Sequence, residues 1–167
     1  MHLKGAPTSQ ELFRHLYDSG DKLNLHDAYI YYRFPIYRGM DDSLIETDIL
    51  LLSPYHGCVI FRCVEPSLRN SHSALKDAES TIDQLYSCIF SRLIRNRNLQ
   101  KDRSTLLFPI HTAIYDPFLR HEDIDDEIIS AVRSDILRSP GELDKFLLTN
   151  SREPLSANIF NELMLTH

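Results

Sequence analysis

The sequence predicts an α/β domain with a mixed central β-sheet flanked by helices, on three observations. A β-prone hairpin occupies residues 44–64, a long amphipathic helix follows over residues 73–95, and another apolar strand comes at residues 104–115. A hairpin is antiparallel, whereas a strand reached through a helix returns parallel, so the combination requires a mixed sheet. A chain of 167 residues, 43% hydrophobic, can bury one real core. The expected division is an α-β-β-β-α-β core over residues 1–120 and a mainly helical C-terminal extension of the same domain over residues 121–167.

Each element has a local reason. Thr8 and Ser9 open a short helix carrying Leu12, Phe13 and Leu16, and Ser19-Gly20 stop it. Residues 28–34 are aromatic and β-prone and end at Pro35, as a strand does. Gly39 to Ser43 make a turn. Residues 44–52 are mostly aliphatic, Ser53-Pro54-Tyr55-His56-Gly57 turn the chain, and residues 58–64 return. Leu75, Ala78, Ile82, Leu85, Tyr86, Ile89 and Leu93 then draw one apolar helical stripe. Ser71 or Ser73 caps this helix, with Asp77 and Glu79 early and Arg92, Arg95 and Arg97 late, as the helix dipole favours. Pro109 inside residues 104–115 predicts an edge strand or a bulge. Residues 123–132 read as a helix, residues 135–138 as its extension or a last short strand, and residues 139–148 as a helix with Pro140 in its first turn. The closing helix, residues 157–165, carries Phe160, Leu163 and Leu165 with no later element to cover them, as expected of a piece of a larger protein.

Composition narrows the function. No apolar run approaches the roughly 20 residues of a membrane span, and Met1-His2-Leu3-Lys4 has no secretory apolar region. Three cysteines without a Cys-x-x-Cys pair suit buried thiols in a reducing, cytoplasmic setting. The net charge of −6 argues against a surface that coats nucleic acid, but it is unevenly spread. Residues 71–103 hold 6 Lys+Arg against 4 Asp+Glu, while residues 104–167 hold 5 against 11. Any nucleic-acid contact is therefore expected at Arg92, Arg95, Arg97, Lys101 and Arg103, whose plainer duty would be to satisfy the carbonyls of a helix end. No Gly-rich phosphate loop, no Gly-x-Ser-x-Gly elbow and no zinc-type His or Cys spacing is present.

Strand alternation would put Glu46 and Asp48 on one face of an apolar strand, which is costly unless they are paired or bind metal. The run from Glu46 through Asp48, four aliphatics, Ser53, Gly57 and a second aliphatic strand resembles the core of PD-(D/E)XK nucleases. It is most similar to the nuclease-related domain found at the N-terminus of some DNA helicases. The resemblance covers residues 8–115 and implies a restriction-endonuclease-like core in which paired acids hold a divalent metal and a lysine orients water. Asp48 matches the first acid and is the candidate metal ligand. The second acid and the lysine fall on Arg62 and Val64, and neither residue can do that work.

Three functions follow. The first is a catalytically degenerate domain that binds or positions DNA, attached to a helicase domain in a larger protein. The second is a Mg²⁺-dependent DNase using Glu46, Asp48 and an acid moved to the long helix, with Glu79 and Asp83 about 40° and 80° from Leu75 at 100° per residue. The third is a protein-interaction domain whose partner meets the acidic segment 122–127 without nucleic acid. Only the second implies a cofactor, and none implies a membrane. Gln84, about 180° from Leu75, is expected to be exposed rather than to act as the family's helical glutamine. Arg62 is expected to pair with Asp48 across adjacent strands.

Overall fold

The structure is a computed structural model that describes residues 6–39, 41–67 and 73–167. In chain order its strands are β1 (Tyr29–Tyr32), β2 (Ile36–Arg38), β3 (Leu44–Glu46), β4 (Ile49–Ser53), β5 (Gly57–Cys63), β6 (Gln100–Asp102), β7 (Thr105–Leu106), β8 (Ile110–Tyr115) and β9 (Asp135–Leu137). The helices are α1 (Pro7–Asp18), α2 (Ala74–Ile94), α3 (Asp126–Ala131), α4 (Pro140–Thr149) and α5 (Ala157–Thr166).

The five-stranded sheet has the order β1-β4-β5-β8-β9. β1, β4 and β5 are antiparallel, and β5, β8 and β9 are parallel. This is the mixed α/β sheet expected, with the long helix as the crossover from β5 to β8. Side-chain alternation splits the core between the two faces. Ile49, Leu51, Val59 and Phe61 pack with Leu12 and Leu16 of α1 and with Leu143 and Leu147 of α4. Leu50, Leu52, Cys58 and Ile60 pack with Leu85, Ile89 and Leu93 of α2 and with Phe160 and Leu163 of α5. A third cluster joins Val64, Leu75, Ala78 and Ile82 to Ile114 and to Ile128 of α3.

Several local expectations need correction. Residues 44–52 are two strands, not one, because the chain joins the five-stranded sheet only after Thr47. β3 pairs with β2 in a separate ribbon, a strand too short to show a period in the sequence. Thr47 N–H donates to the Pro35 carbonyl at 3.2 Å and Arg33 N–H to that of Asp48 at 2.9 Å, which closes the crossing point. Pro109 does not interrupt a strand but precedes one. β8 is central, and the Pro109 carbonyl accepts from Cys58 N–H at 3.2 Å. The approach is so close that a Cβ at Gly57, whose φ is +75°, would meet that oxygen at 2.6 Å, so the hairpin turn requires glycine here. Of the two alternatives for residues 135–138, the last short strand holds: β9 completes the sheet within the C-terminal extension. Phe160 and Leu163 are covered within the core, and Leu165 is exposed.

Helix caps also differ. The Ser71 alternative lies outside the described residues, and Ser73 precedes α2 without a side-chain cap to the backbone. Thr8 and Ser9 sit inside α1, after Ala6 and Pro7. Their N–H groups donate to the Glu65 carboxylate at 2.8 and 3.1 Å, and the Ser9 hydroxyl donates to it at 2.7 Å. A side chain from beyond β5 thus caps α1.

Candidate functional site

The antiparallel register places Ile49 opposite Phe61, which sets Asp48 across from Arg62 at the carboxyl end of β5. Asp48 Oδ1 accepts from Arg62 Nη1 at 3.2 Å, and Oδ2 accepts from Cys63 N–H at 2.8 Å. The expected pairing is present. The Asp48 side chain is 15% exposed and that of Arg62 28%. Burial raises the Asp48 pKa, and the Arg62 guanidinium and the Cys63 N–H only partly offset it. Val64 is core, 2% exposed and packed with Leu75 and Ile82.

Around this pair opens a cleft of about 450 Å³. Its charged lining is Arg33 and Arg62 against Asp41, Glu46, Asp48 and Glu65. Glu46 reaches it from the β2–β3 ribbon, where Oε1 meets Arg33 Nε at 2.6 Å. Glu46 and Asp48 therefore share a cleft but not a strand face. Cys63 also lines the cleft, but burial pushes its thiol well above the usual range, and burial pushes Cys58 up to about 12, so neither supplies a thiolate.

Glu79 is not at this cleft. It is 4% exposed, and its carboxylate accepts from Arg133 N–H at 3.0 Å, Ser134 N–H at 3.3 Å and the Ser134 hydroxyl at 2.5 Å. Asp83 pairs with Arg133 at 3.0 Å. Helical arithmetic gives the reason. These two acids occupy the α2 flank that faces β9, whereas Thr81 and Gln84, about 240° and 180° from Leu75, occupy the opposite flank and line the cleft. Gln84 is exposed, as expected, yet it stands on the cleft wall with its Oε1 close beside Gly39. Among the described residues no group of three or more His, Cys, Asp or Glu comes together to hold a metal ion. His56 is fully buried, its ring nitrogens 2.9 Å from Ser53 Oγ and from the Leu147 carbonyl, so it braces the hairpin turn.

The basic residues lie toward the other end of α2. Arg92 belongs to the last turn of α2, Arg95 is its C-cap, Arg97 belongs to a short 3-10 turn, Lys101 to β6 and Arg103 to the β6–β7 turn. All five are exposed. Arg92 lies 5.3 Å from the ring centre of Tyr37, and burial is the main cause that raises this phenol to about 12. Arg92 Nη1 also donates to the His167 backbone oxygen at 3.4 Å. In the acidic segment, Glu122 and Asp123 meet Arg120 at 3.6 and 3.3 Å, Glu127 pairs with Lys76, and Asp125 caps α3.

A second open groove, of about 410 Å³, has no counterpart in the sequence reading. Tyr86 and Phe90 form one wall, their rings 6.0 Å apart and 5° from parallel. Tyr86, a member of the apolar stripe by its spacing, is 39% exposed. The i, i+4 spacing of the two aromatics is visible in the sequence, but what faces them comes from residues 104–110 and Arg152.

No family model, curated protein or solved structure matches this chain. No described helix is long and apolar enough to cross a membrane.

Proposed function

We propose that this chain is a nuclease-type scaffold of restriction-endonuclease-like layout that no longer cuts and that holds or positions DNA, attached to a helicase-like protein. The observation that carries DNA contact is the state of the cations. Arg92, Arg95, Arg97, Lys101 and Arg103 are exposed and, among the described residues, within 4.0 Å of no acidic side chain. Eight other lysines and arginines are each paired with an acid. Cations without an acidic partner, even on an acidic protein, are free to displace the counterions of a phosphate backbone. The loss of catalysis rests on Arg62, which neutralises the carboxylate that the resemblance would give to a metal. The cleft around it carries more acid than base and is the poorer seat for a phosphate.

The test is DNA binding across a salt series. Wild type is expected to bind at low salt, with affinity falling steeply as salt rises. Arg95→Glu with Arg97→Glu should weaken binding at least tenfold and flatten the salt slope. Absence of binding at low salt overturns the reading. Cleavage that needs Mg²⁺ or Mn²⁺ and is lost in Asp48→Ala would restore the active-nuclease alternative.

A further inference from the structure

We propose that the groove between α2 and residues 104–110 binds a single-stranded nucleic acid, with unpaired bases against Tyr86 and Phe90 and phosphates on Lys101 and Arg152. The inference rests on the DNA-contact reading above and adds to it which form of the polymer is held and where.

The groove combines two chemistries. Its wall is aromatic: the Tyr86 and Phe90 rings are parallel, and Tyr86 keeps ring surface open to solvent. The remaining apolar lining includes Leu107, 37% exposed, and buried Phe108. Its rim is cationic. Lys101 and Arg152 line it, and no acidic side chain does among the described residues. The nearby Asp102 is occupied in its own turn, accepting from Ser104 N–H at 2.9 Å and from the Ser104 hydroxyl at 3.2 Å. Arg152 is anchored by its backbone, whose N–H donates to the Tyr55 carbonyl at 2.9 Å.

Aromatic faces beside a cationic rim suit a strand whose bases are unpaired, because base faces in a duplex are already covered by their neighbours. Lys101 also belongs to the basic segment 92–103 on which the DNA-contact reading rests. The Asp48 cleft offers the opposite: four acids, two arginines and no stacking wall.

The chain has no tryptophan, so Tyr86→Trp places a single fluorescent reporter in the wall. The probes are a twelve-nucleotide oligo-dT, its ribose counterpart oligo-U, an abasic strand of equal length, a duplex, and oligo-glutamate. Oligo-dT should quench the indole fluorescence of the Tyr86→Trp variant and bind about tenfold or more tighter than the abasic strand. Tyr86→Ala should remove that advantage without changing duplex binding. Arg152→Ala should weaken oligo-dT and the abasic strand alike. Comparison of oligo-dT with oligo-U decides whether the site prefers DNA or RNA. Equal binding of oligo-dT and abasic strand, binding without quenching, or competition by oligo-glutamate as strong as by oligo-dT overturns the single-strand proposal and leaves only an unspecific anion contact. If no strand binds at low salt, both readings fall.

Discussion

Arg62 and Asp48 show how a largely buried acid is held by a counter-charge from the neighbouring strand. A carboxylate 15% exposed needs a counter-charge, and here the protein supplies its own. Arg62→Leu would leave Asp48 with one N–H donor, that of Cys63, and only the weaker influence of Arg33 as a cation. We expect a loss of about 2 kcal/mol in chemical denaturation, less than for a fully buried pair because Arg62 keeps some contact with water. Arg62→Leu with Asp48→Asn should recover part of it, since the uncompensated charge is then gone. If the single variant is as stable as wild type, the pair is ornamental. This arrangement is legible in the sequence because register follows from a tight turn: once residues 53–57 make the hairpin, Asp48 must stand opposite Arg62. Glu79 is not legible in the same way. Its partner Ser134 is 55 positions away, and no local pattern says which flank of α2 will face β9.

At the scale of elements, acids act as fasteners between segments distant in sequence. Glu65 joins the end of the central hairpin to the start of α1, across 56 and 57 positions. Glu65→Ala should cost about 1–2 kcal/mol, as the loss of a strong cap does, and should raise amide exchange in the first turn of α1 before it affects β5. Exchange that rises equally across the sheet would show that Glu65 does not act as a local cap. The strong periodic elements, the β4–β5 hairpin and α2, are readable from residue spacing alone. The three-residue strands β2, β3 and β9 read poorly, because two or three residues carry no period and their pairing is set by tertiary contact. The aromatic groove is half readable: Tyr86 and Phe90 one turn apart look like core until the opposite wall is seen to leave Tyr86 open.

For the molecule as a whole, two histidines tie stability to pH. Burial lowers the pKa of His56 and of His111; His111 adds to the effect on His56, and Arg152 to that on His111. In the unfolded chain each takes up its proton near 6.5, whereas the folded state resists it. Their contribution is therefore complete above about pH 6.5 and is lost as pH falls through the lower folded values. Each histidine can contribute a slope of at most about 1.4 kcal/mol per pH unit. Urea midpoints at pH 7.5 and 5.5 should fall together with pH in wild type, and His56→Gln with His111→Gln should flatten the difference whatever its own stability. A wild-type midpoint that does not move would exclude the effect.

β5 is the seam between the antiparallel and parallel halves of the sheet, and its two edges are completed on different schedules. Leu52 meets Cys58 across six positions, but Cys58 meets Ile110 only after 52 more. During synthesis the hairpin can close as soon as it emerges, while the other edge of its most apolar strand stays open until β8 has been made. Through that interval the chain carries an unpaired, sticky β edge, with α1, already made, to shelter one sheet face beside it and α2, made next, to shelter the other. The long helix thus serves the nascent chain as a temporary cover before it serves the folded protein as a wall between two clefts.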